Sequence, residues 1–476
     1  MNCTSSTVEH RPRSAAAARF GLVVAAVVCC ACAPTHRSEP RSTRLPPPDR
    51  FRQARIAVDS DGRVYVAAIE RGFSTGDRIF LTASADHGQS WRPAEPIHEP
   101  TRRSRRSVEI STGDRDAVYV VWLEEPRRVA FNRSLDGCRT WLPREIGLDD
   151  AAGTTLHPFD PQIACDERGN VYVIWLDDRE GFDAFYGNRS RDAGANWLPN
   201  AIRITPLSLG QKSGPLLRCD DQGHVYVLWL EERDGQVGVF FNSSNDFGAT
   251  WSFQDTRLDD GRNARGSSLV VFDSGRLLAA WLELGSARVS LRARISLDGG
   301  RSWDAVQQLS AVERRPGDPS LPVTYAGSNR HTGVAWQVRT GEGERILVMH
   351  SADGGTHFEQ GVLERPFSET GLLQPGWSRE PRTFDADSDA NGNVYIVWAE
   401  TTLGGIVCAR FIGAGGASLR PGLRTPVAEI DDALVEPPRV SNDDFGNVTI
   451  LWNEGRRLVV ASSPFFGDTG WRKTAF

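Results

Sequence analysis

An eight-residue pattern returns along this chain at intervals of 50 to 56 residues. It reads SADHGQSW from Ser84, SLDGCRTW from Ser134, SRDAGANW from Ser190, SNDFGATW from Ser244, SLDGGRSW from Ser296 and SADGGTHF from Ser351. A worn copy, SSPFFGDTGW, ends at Trp471. A period of this length constrains the fold more than any composition can. It means one supersecondary unit repeated, with each unit burying its apolar surface against the next.

A second motif precedes each copy. It is DSDGRVYVAAIER from Asp59, DAVYVVWLE from Asp116, DERGNVYVIWLD from Asp166, DQGHVYVLWLEER from Asp221, DSGRLLAAWLE from Asp273, NGNVYIVWAE from Asn391 and FGNVTILWNE from Phe445. A shortened form occupies residues 333–336. That makes eight units between about residue 52 and the C-terminus. Each parses into four short strands. The first ends in a D-x-x-G turn, where Gly accepts positive φ and Asp can cap the turn. The V-Y-V-x-W run is apolar at nearly every position, so both of its faces are buried. A third strand leads into the eight-residue box and a fourth leaves it. Blocks of this kind read as propeller blades.

The box resembles the Asp-box, or bacterial neuraminidase repeat, of sialidase-superfamily β-propellers, and the likeness covers nearly all of residues 52–476. The resemblance implies an all-β fold of four-stranded antiparallel blades, eight of them here, ahead of rings of seven or six. In that family the box is the outer hairpin between the third and fourth strands. Its residue types suit a structural role. Asp86 can accept N–H groups across the turn, Ser84 can brace it, and Gly88 supplies a left-handed position. Trp91 packs between sheets, where an indole removes roughly 150–250 Å² from water. The counterparts are Asp136 with Trp141, Asp192 with Trp197, Asp246 with Trp251, Asp298 with Trp303, and Asp353 with Phe358 in the Trp place. Cys138 stands in the Gly position of its copy. A catalytic residue would not need six copies, so the box reads as a fastener.

If the chain follows other propellers, the first strands line a central channel. The boxes and D-x-x-G turns then share one rim. The opposite rim gathers the loops before the first strand and after the V-Y-V-x-W strand, and ligand sites in the family lie there. Glu70, Glu124, Asp177, Glu231, Glu283, Glu400 and Glu454 follow the second strands, with Arg71, Arg179, Arg233, Arg339 and Arg456 close by. They could form a charged ring, although a repeated ion pair would give the same pattern. Arg102, Arg103, Arg105 and Arg106, from TRRSRR, could grip a carboxylate or phosphate with forked hydrogen bonds. Trp377 in QPGWSREPR, and Phe159 in HPFDP, could stack on a sugar ring. Asp385, Asp387 and Asp389 in DADSDANGN look like a calcium loop. The Gly comes two positions late, however, and no bidentate Glu follows, so no metal or other cofactor is expected.

The same resemblance implies where catalysis would sit. Sialidases carry an F/Y-R-I-P motif at the first blade, whose Arg helps hold the substrate carboxylate. FRQARIAVDSDG from Phe51 runs in register with it: Phe51 and Arg52 match, and Gln53 and Ala54 replace the Ile-Pro pair. The family's Asp acid/base lies in the loop after the second strand, where Glu70, Arg71 and Asp77 are the nearest counterparts. Arg52 and Asp77 are therefore the catalytic candidates. The family's Tyr nucleophile, activated by a Glu, has no well-placed equivalent. Tyr65, Tyr119, Tyr172, Tyr226 and Tyr395 lie in second strands, Tyr186 near the outside, and Tyr325 at the far end of a first strand. Eight blades also open a wider channel than the six of a sialidase, and catalysis is sensitive to about 1 Å.

Residues 1–33 read as an export signal. Arg11, Arg13 and Arg19 precede FGLVVAAVVCCACA, an apolar run of 14 residues that is too short to span a bilayer comfortably. Ala31-Cys32 resembles the end of a lipoprotein lipobox, with Cys29 where Leu is usual, and Cys30 fits about as loosely. Lipidation at Cys32 is expected, with simple cleavage as the alternative. Residues 34–50, PTHRSEPRSTRLPPPDR, read as a Pro-rich tether, and residues 51–476 as the propeller. Cys138, Cys165, Cys219 and Cys408 remain. Cys165 and Cys219 hold the same place in consecutive units, about 10 Å apart, beyond the reach of a disulfide. Small buried thiols are expected. The net charge of −6 gives no reason to expect nucleic-acid binding. The sequence thus leads to an extracytoplasmic, membrane-anchored module that binds or scaffolds a glycan or surface protein. An exo-α-sialidase-type glycoside hydrolase is the rival reading.

Overall fold

The computed structural model describes residues 51–72, 76–99, 101–126, 128–149, 158–272, 275–314, 321–327, 330–340, 343–363, 384–389, 391–400, 405–413, 419–429, 434–443, 446–454, 457–464 and 471–475. The export signal, the tether, Cys32 and Trp377 lie outside the described residues. Within them the chain forms eight four-stranded antiparallel sheets, each built from strands consecutive in sequence. The first strands are Phe51–Val58, Arg105–Thr112, Phe159–Cys165, Gln211–Cys219, Ala264–Phe272, Val323–Ala326, Phe384–Ser388 and Leu434–Asn442. They lie side by side in chain order, and the eighth touches the first. The chain is an eight-bladed β-propeller.

The second strands explain why the blades stack. In Val64–Glu70, Val118–Glu124, Val171–Asp177 and Val448–Glu454 every residue is buried. A sheet covered on both faces needs no polar alternation, so the run is apolar throughout. Six of the second-strand indoles, Trp122, Trp175, Trp229, Trp281, Trp336 and Trp452, are wholly buried. The apolar clusters join neighbouring blades: Val121, Phe131 and Trp175 share one across blades 2 and 3.

The box is a fastener in atomic detail. Ser84 donates its hydroxyl to Asp86 Oδ1 at 2.8 Å and accepts the Gly88 N–H at 2.7 Å. Asp86 accepts the Ser90 N–H at 2.8 Å and the Ser90 hydroxyl at 2.6 Å. The Ser–Asp bond recurs at Asp136, Asp192, Asp246, Asp298 and Asp353. The N–H of the fourth box residue donates to a carbonyl in the preceding turn: Ala193 to Gly169 at 2.8 Å, Phe247 to Gly223 at 2.9 Å, Gly299 to Gly275 at 2.7 Å. Boxes and turns therefore share one rim. Trp197 meets Phe131 of blade 2 edge-on at 4.8 Å, and Trp303 meets Phe241 of blade 4 at 5.0 Å, so the box indoles do bridge blades. In blades 4 and 7 the capping carboxylates are Asp220 and Asp389, each three residues ahead of its Gly as the D-x-x-G pattern expects. Asp220 accepts the Gln222 and His224 N–H groups, and Asp389 those of Asn391 and Asn393.

Blade 8 completes itself with its own outer strand, Arg472–Ala475, so no strand is exchanged at closure. Cys138, Cys165, Cys219 and Cys408 are free thiols.

Candidate functional site

The rim opposite the boxes is built at the ends of the second strands. Residues two apart in a strand face the same way, so a strand Trp can meet the acid that follows it, as three do. Trp175 Nε1 donates to Asp177 at 3.3 Å, Trp229 to Glu231 at 3.1 Å and Trp452 to Glu454 at 3.2 Å. Glu70, Glu124, Asp177, Glu231, Glu283 and Glu454 are all buried. Arginines cover them: Arg78 on Glu70 at 2.7 Å, Arg179 on Asp177 at 2.8 Å, Arg233 on Glu231 at 2.7 Å and Arg292 on Glu283 at 2.9 Å. Arg179 and Arg233 also lie 4.0 Å above the rings of Tyr186 and Phe240. The acids are therefore not an open charged ring. They are buried ion pairs that seal the strand ends. Arg456 and the side chains of Arg339 and Glu400 lie outside the description.

Asp77, the candidate acid/base, is 6% exposed. Its carboxylate accepts the Gly72 N–H at 3.2 Å, the Ser104 hydroxyl at 2.8 Å and the Arg105 N–H at 2.9 Å. The Arg105 guanidinium donates to the Asp77 carbonyl, to Thr101 Oγ1 at 2.8 Å and to Glu124 at 2.9 Å. This constellation occurs twice. Between blades 3 and 4, Asp183 accepts the Lys212 N–H at 3.2 Å, and Lys212 Nζ donates to the Asp183 carbonyl at 2.9 Å and to Ser208 Oγ at 2.7 Å. Lys212 Nζ also lies 3.5 Å from Glu231. Thr101-Arg105-Glu124-Asp77 and Ser208-Lys212-Glu231-Asp183 are one clasp in two spellings, each tying a blade to the one before it. Asp77 and Arg105 are spent on this fastening. Arg105 is fully buried, against the expectation that it grips a ligand. The spacings T-x-x-x-R and S-x-x-x-K, at one point of two units, were the available sequence signal.

The other nominated residues separate by exposure. Arg52 pairs with Ile69 in the first strand of blade 1, and its side chain lies outside the description. Arg71 is exposed. Arg103 is half exposed and donates to Glu124 at 2.7 Å. Arg106 pairs with Glu125 at 3.1 Å and stands 5.9 Å above the ring of Phe159, which is itself partly exposed. Beside the second clasp, Leu207 and Leu209 are 73% and 90% exposed, which the sequence reading missed. Bulges with left-handed residues at Gln53, Ser107, Asp160, Gly214 and Gly266 interrupt the first strands at this rim. Such bulges re-aim side chains.

All seven tyrosines are buried, and burial pushes every one of their hydroxyls upward in pKa. Tyr186 does donate to a Glu, Glu180, but on a third strand, and with its proton held more tightly rather than less. Among the described residues no three His, Cys, Asp or Glu side chains converge as a metal site requires. Asp385 and Asp387 instead accept the Val440 and Asn442 N–H groups at 3.1 and 3.0 Å, fastening blade 7 to blade 8.

No protein-family model matches the chain, and no curated protein matches it in sequence. Several solved structures are similar to it. A polysaccharide lyase, an ulvan lyase, is 10% identical with a TM-score of 0.43, covering 74% of this chain and 88% of its own. A puromycin hydrolase is 16% identical with a TM-score of 0.47, covering 78% and 53%. The NanB sialidase from Streptococcus pneumoniae is 13% identical with a TM-score of 0.35, covering 85% and 65%. At these identities and scores the likeness assigns no activity to this chain.

Proposed function

We propose that this chain is an exported protein, held at the membrane by a lipid on Cys32, whose sialidase-like Asp-box propeller binds a glycan or a surface protein without turning it over. The rim of blades 2 to 4 is the binding face. One observation carries the reading: Asp77, the residue resembling the acid/base, is occupied inside the protein, while Arg106 and Phe159, and Leu207 and Leu209 at the second clasp, are exposed on the same rim. A guanidinium and a ring set side by side suit a sugar bearing an acidic group, or an aromatic or acidic side chain of a protein.

The test is a glycan array read beside a fluorogenic sialoside assay. The expected result is binding without turnover, weakened about tenfold by Phe159→Ala or Arg106→Ala. Turnover that Arg52→Ala abolishes in a normally melting chain would replace the binding reading with a hydrolase of exo-α-sialidase type. Glycan binding indifferent to both rim changes would move the site elsewhere, and binding only to surface proteins would select the protein partner. Cys32→Ser should remove the lipid mass from the isolated chain and release it from membranes.

A further inference from the structure

Blade 6 departs from blades 1, 4 and 7 on the box rim. In blades 1, 4 and 7 the turn aspartate accepts a second-strand tyrosine hydroxyl: Tyr65 to Asp59 at 3.0 Å, Tyr226 to Asp220 at 2.9 Å, Tyr395 to Asp389 at 2.8 Å. Blade 6 has Gly327 in the aspartate's place and Gly333 in the tyrosine's. A tyrosine returns from the first strand. The Tyr325 hydroxyl fills the vacated space, 2.2 Å from where a Cβ on Gly333 would stand. Its partner is no longer a carboxylate. It lies 3.3 Å from His350 Nδ1, and His350 Nε2 lies 3.2 Å from His331 Nδ1. The two imidazoles stack with centroids 5.3 Å apart.

The pair sits at a seam. A Cβ on Gly392 of blade 7 would lie 2.6 Å from the His331 ring, and one on Gly327 would lie 2.4 Å from the Asp389 carbonyl oxygen. His331 is thus wedged between the two turns, and His350 behind it is 1% exposed.

We propose that His331 and His350 form an acid-sensitive latch between blades 6 and 7, closed while the imidazoles are neutral and opened when both take up a proton. Two neutral rings share one hydrogen bond, in which an N–H of one donates to the bare nitrogen of the other. Two protonated rings turn N–H against N–H and place like charges side by side. Among the described residues that charge is offset only in part, by the Asp389 carboxylate. Tyr325 faces His350 from the first strand, and Glu359 is its cross-strand partner. Asp389 faces His331 from blade 7, but its oxygens already accept from Asn391, Asn393 and Tyr395. Arg330, next to His331, is turned to the Asp353 carbonyl. Burial first, then the neighbouring His331, pushes the His350 imidazole down to about 4, and burial lowers His331 as well. A folded pKa below the unfolded value of about 6.5 sets the sign. The latch is at full strength above that pH and weakens as the pH falls towards about 4.

Hydrogen exchange on the full chain tests this at about pH 7.5 and about pH 5, corrected for the intrinsic rate. Amides of residues 323–335 and 384–394 should lose protection by roughly tenfold or more, while the equivalent blade 4 turn, residues 220–226, changes little. His350→Gln should abolish the acid-dependent part of the loss, and His331→Gln should reduce it. If His350→Gln fails to fold, the half-buried His331→Gln carries the comparison alone. Acid loss that is undiminished in His331→Gln, or that spreads equally over all the turns, overturns the latch.

Discussion

Each box holds two successive residues at positive φ: His87 and Gly88, Gly137 and Cys138, Ala193 and Gly194, Phe247 and Gly248, Gly299 and Gly300, Gly354 and Gly355. The glycine of the fifth position was legible in the sequence. The fourth was not, because His, Gly, Ala and Phe share a backbone conformation there and no side-chain chemistry. An L-residue in that region costs roughly 1–2 kcal/mol. Ala193→Gly should therefore be neutral to stabilising by about 1 kcal/mol, since the strain relieved competes with added freedom in the unfolded chain. Gly194→Ala should cost about 2 kcal/mol or more, because it adds the strain and sets a Cβ 2.7 Å from the Phe131 ring. Urea midpoints at a shared m-value separate the two signs. Asp192 gives a pH signature. Hydrogen bonds from the Asn196 side chain and N–H and from Ser190 hold its carboxyl down to about 2. Its contribution is present above the unfolded value of about 3.8 and is lost as the pH falls towards about 2. Asp192→Ala should cost about 1 kcal/mol at neutral pH, an amount typical of a lost cap, and progressively less in acid.

At the scale of the element, the strands and both repeated turns follow from periodicity and turn chemistry. The partners of the rim acids do not. Glu70 takes its arginine from the facing third strand, Asp177 and Glu231 from two residues further on, and Glu124 from the start of its own blade. No fixed spacing links an acid to its cation, so a buried pair looks in sequence like an exposed ring. For the same reason Asp77 resembles an acid/base in sequence, whereas in the structure Asp183 holds the same post between blades 3 and 4. The duplicated clasp makes a sharp prediction. Lys212→Met leaves Glu231 buried without one of its cations and should cost about 3–5 kcal/mol. Lys212→Arg should cost far less, since blade 2 runs the clasp on Arg105. Asp77→Ala should lower stability by about 2–3 kcal/mol through its lost N–H and O–H donors. Denaturant melts with and without a bound glycan distinguish this from a ligand contact: the loss should be equal in both.

For the molecule as a whole, the number of blades was countable from the repeat, but the manner of closure was not. His87 meets Asp443 at 2.8 Å across 356 residues of sequence, and no local pattern announces such a pair. The Asn453 side chain also reaches the Phe51 carbonyl at 3.5 Å. One apolar cluster runs unbroken through Ile406, Val459, Trp471, Ile69 and Trp122, from blade 7 through 8 and 1 to blade 2. A solenoid with free ends can fray unit by unit. A ring whose core crosses its own seam gives every blade two neighbours, so a defect at the seam is shared by all eight. Trp471, buried in the last blade beside the outermost strand, is the place to test this. Trp471→Ala should cost about 3–5 kcal/mol, yet far-UV circular dichroism and tryptophan fluorescence should still report one coincident transition. Two separated transitions would mean that blade 8 melts on its own, and that closure without an exchanged strand leaves the ring as an array of independent sheets.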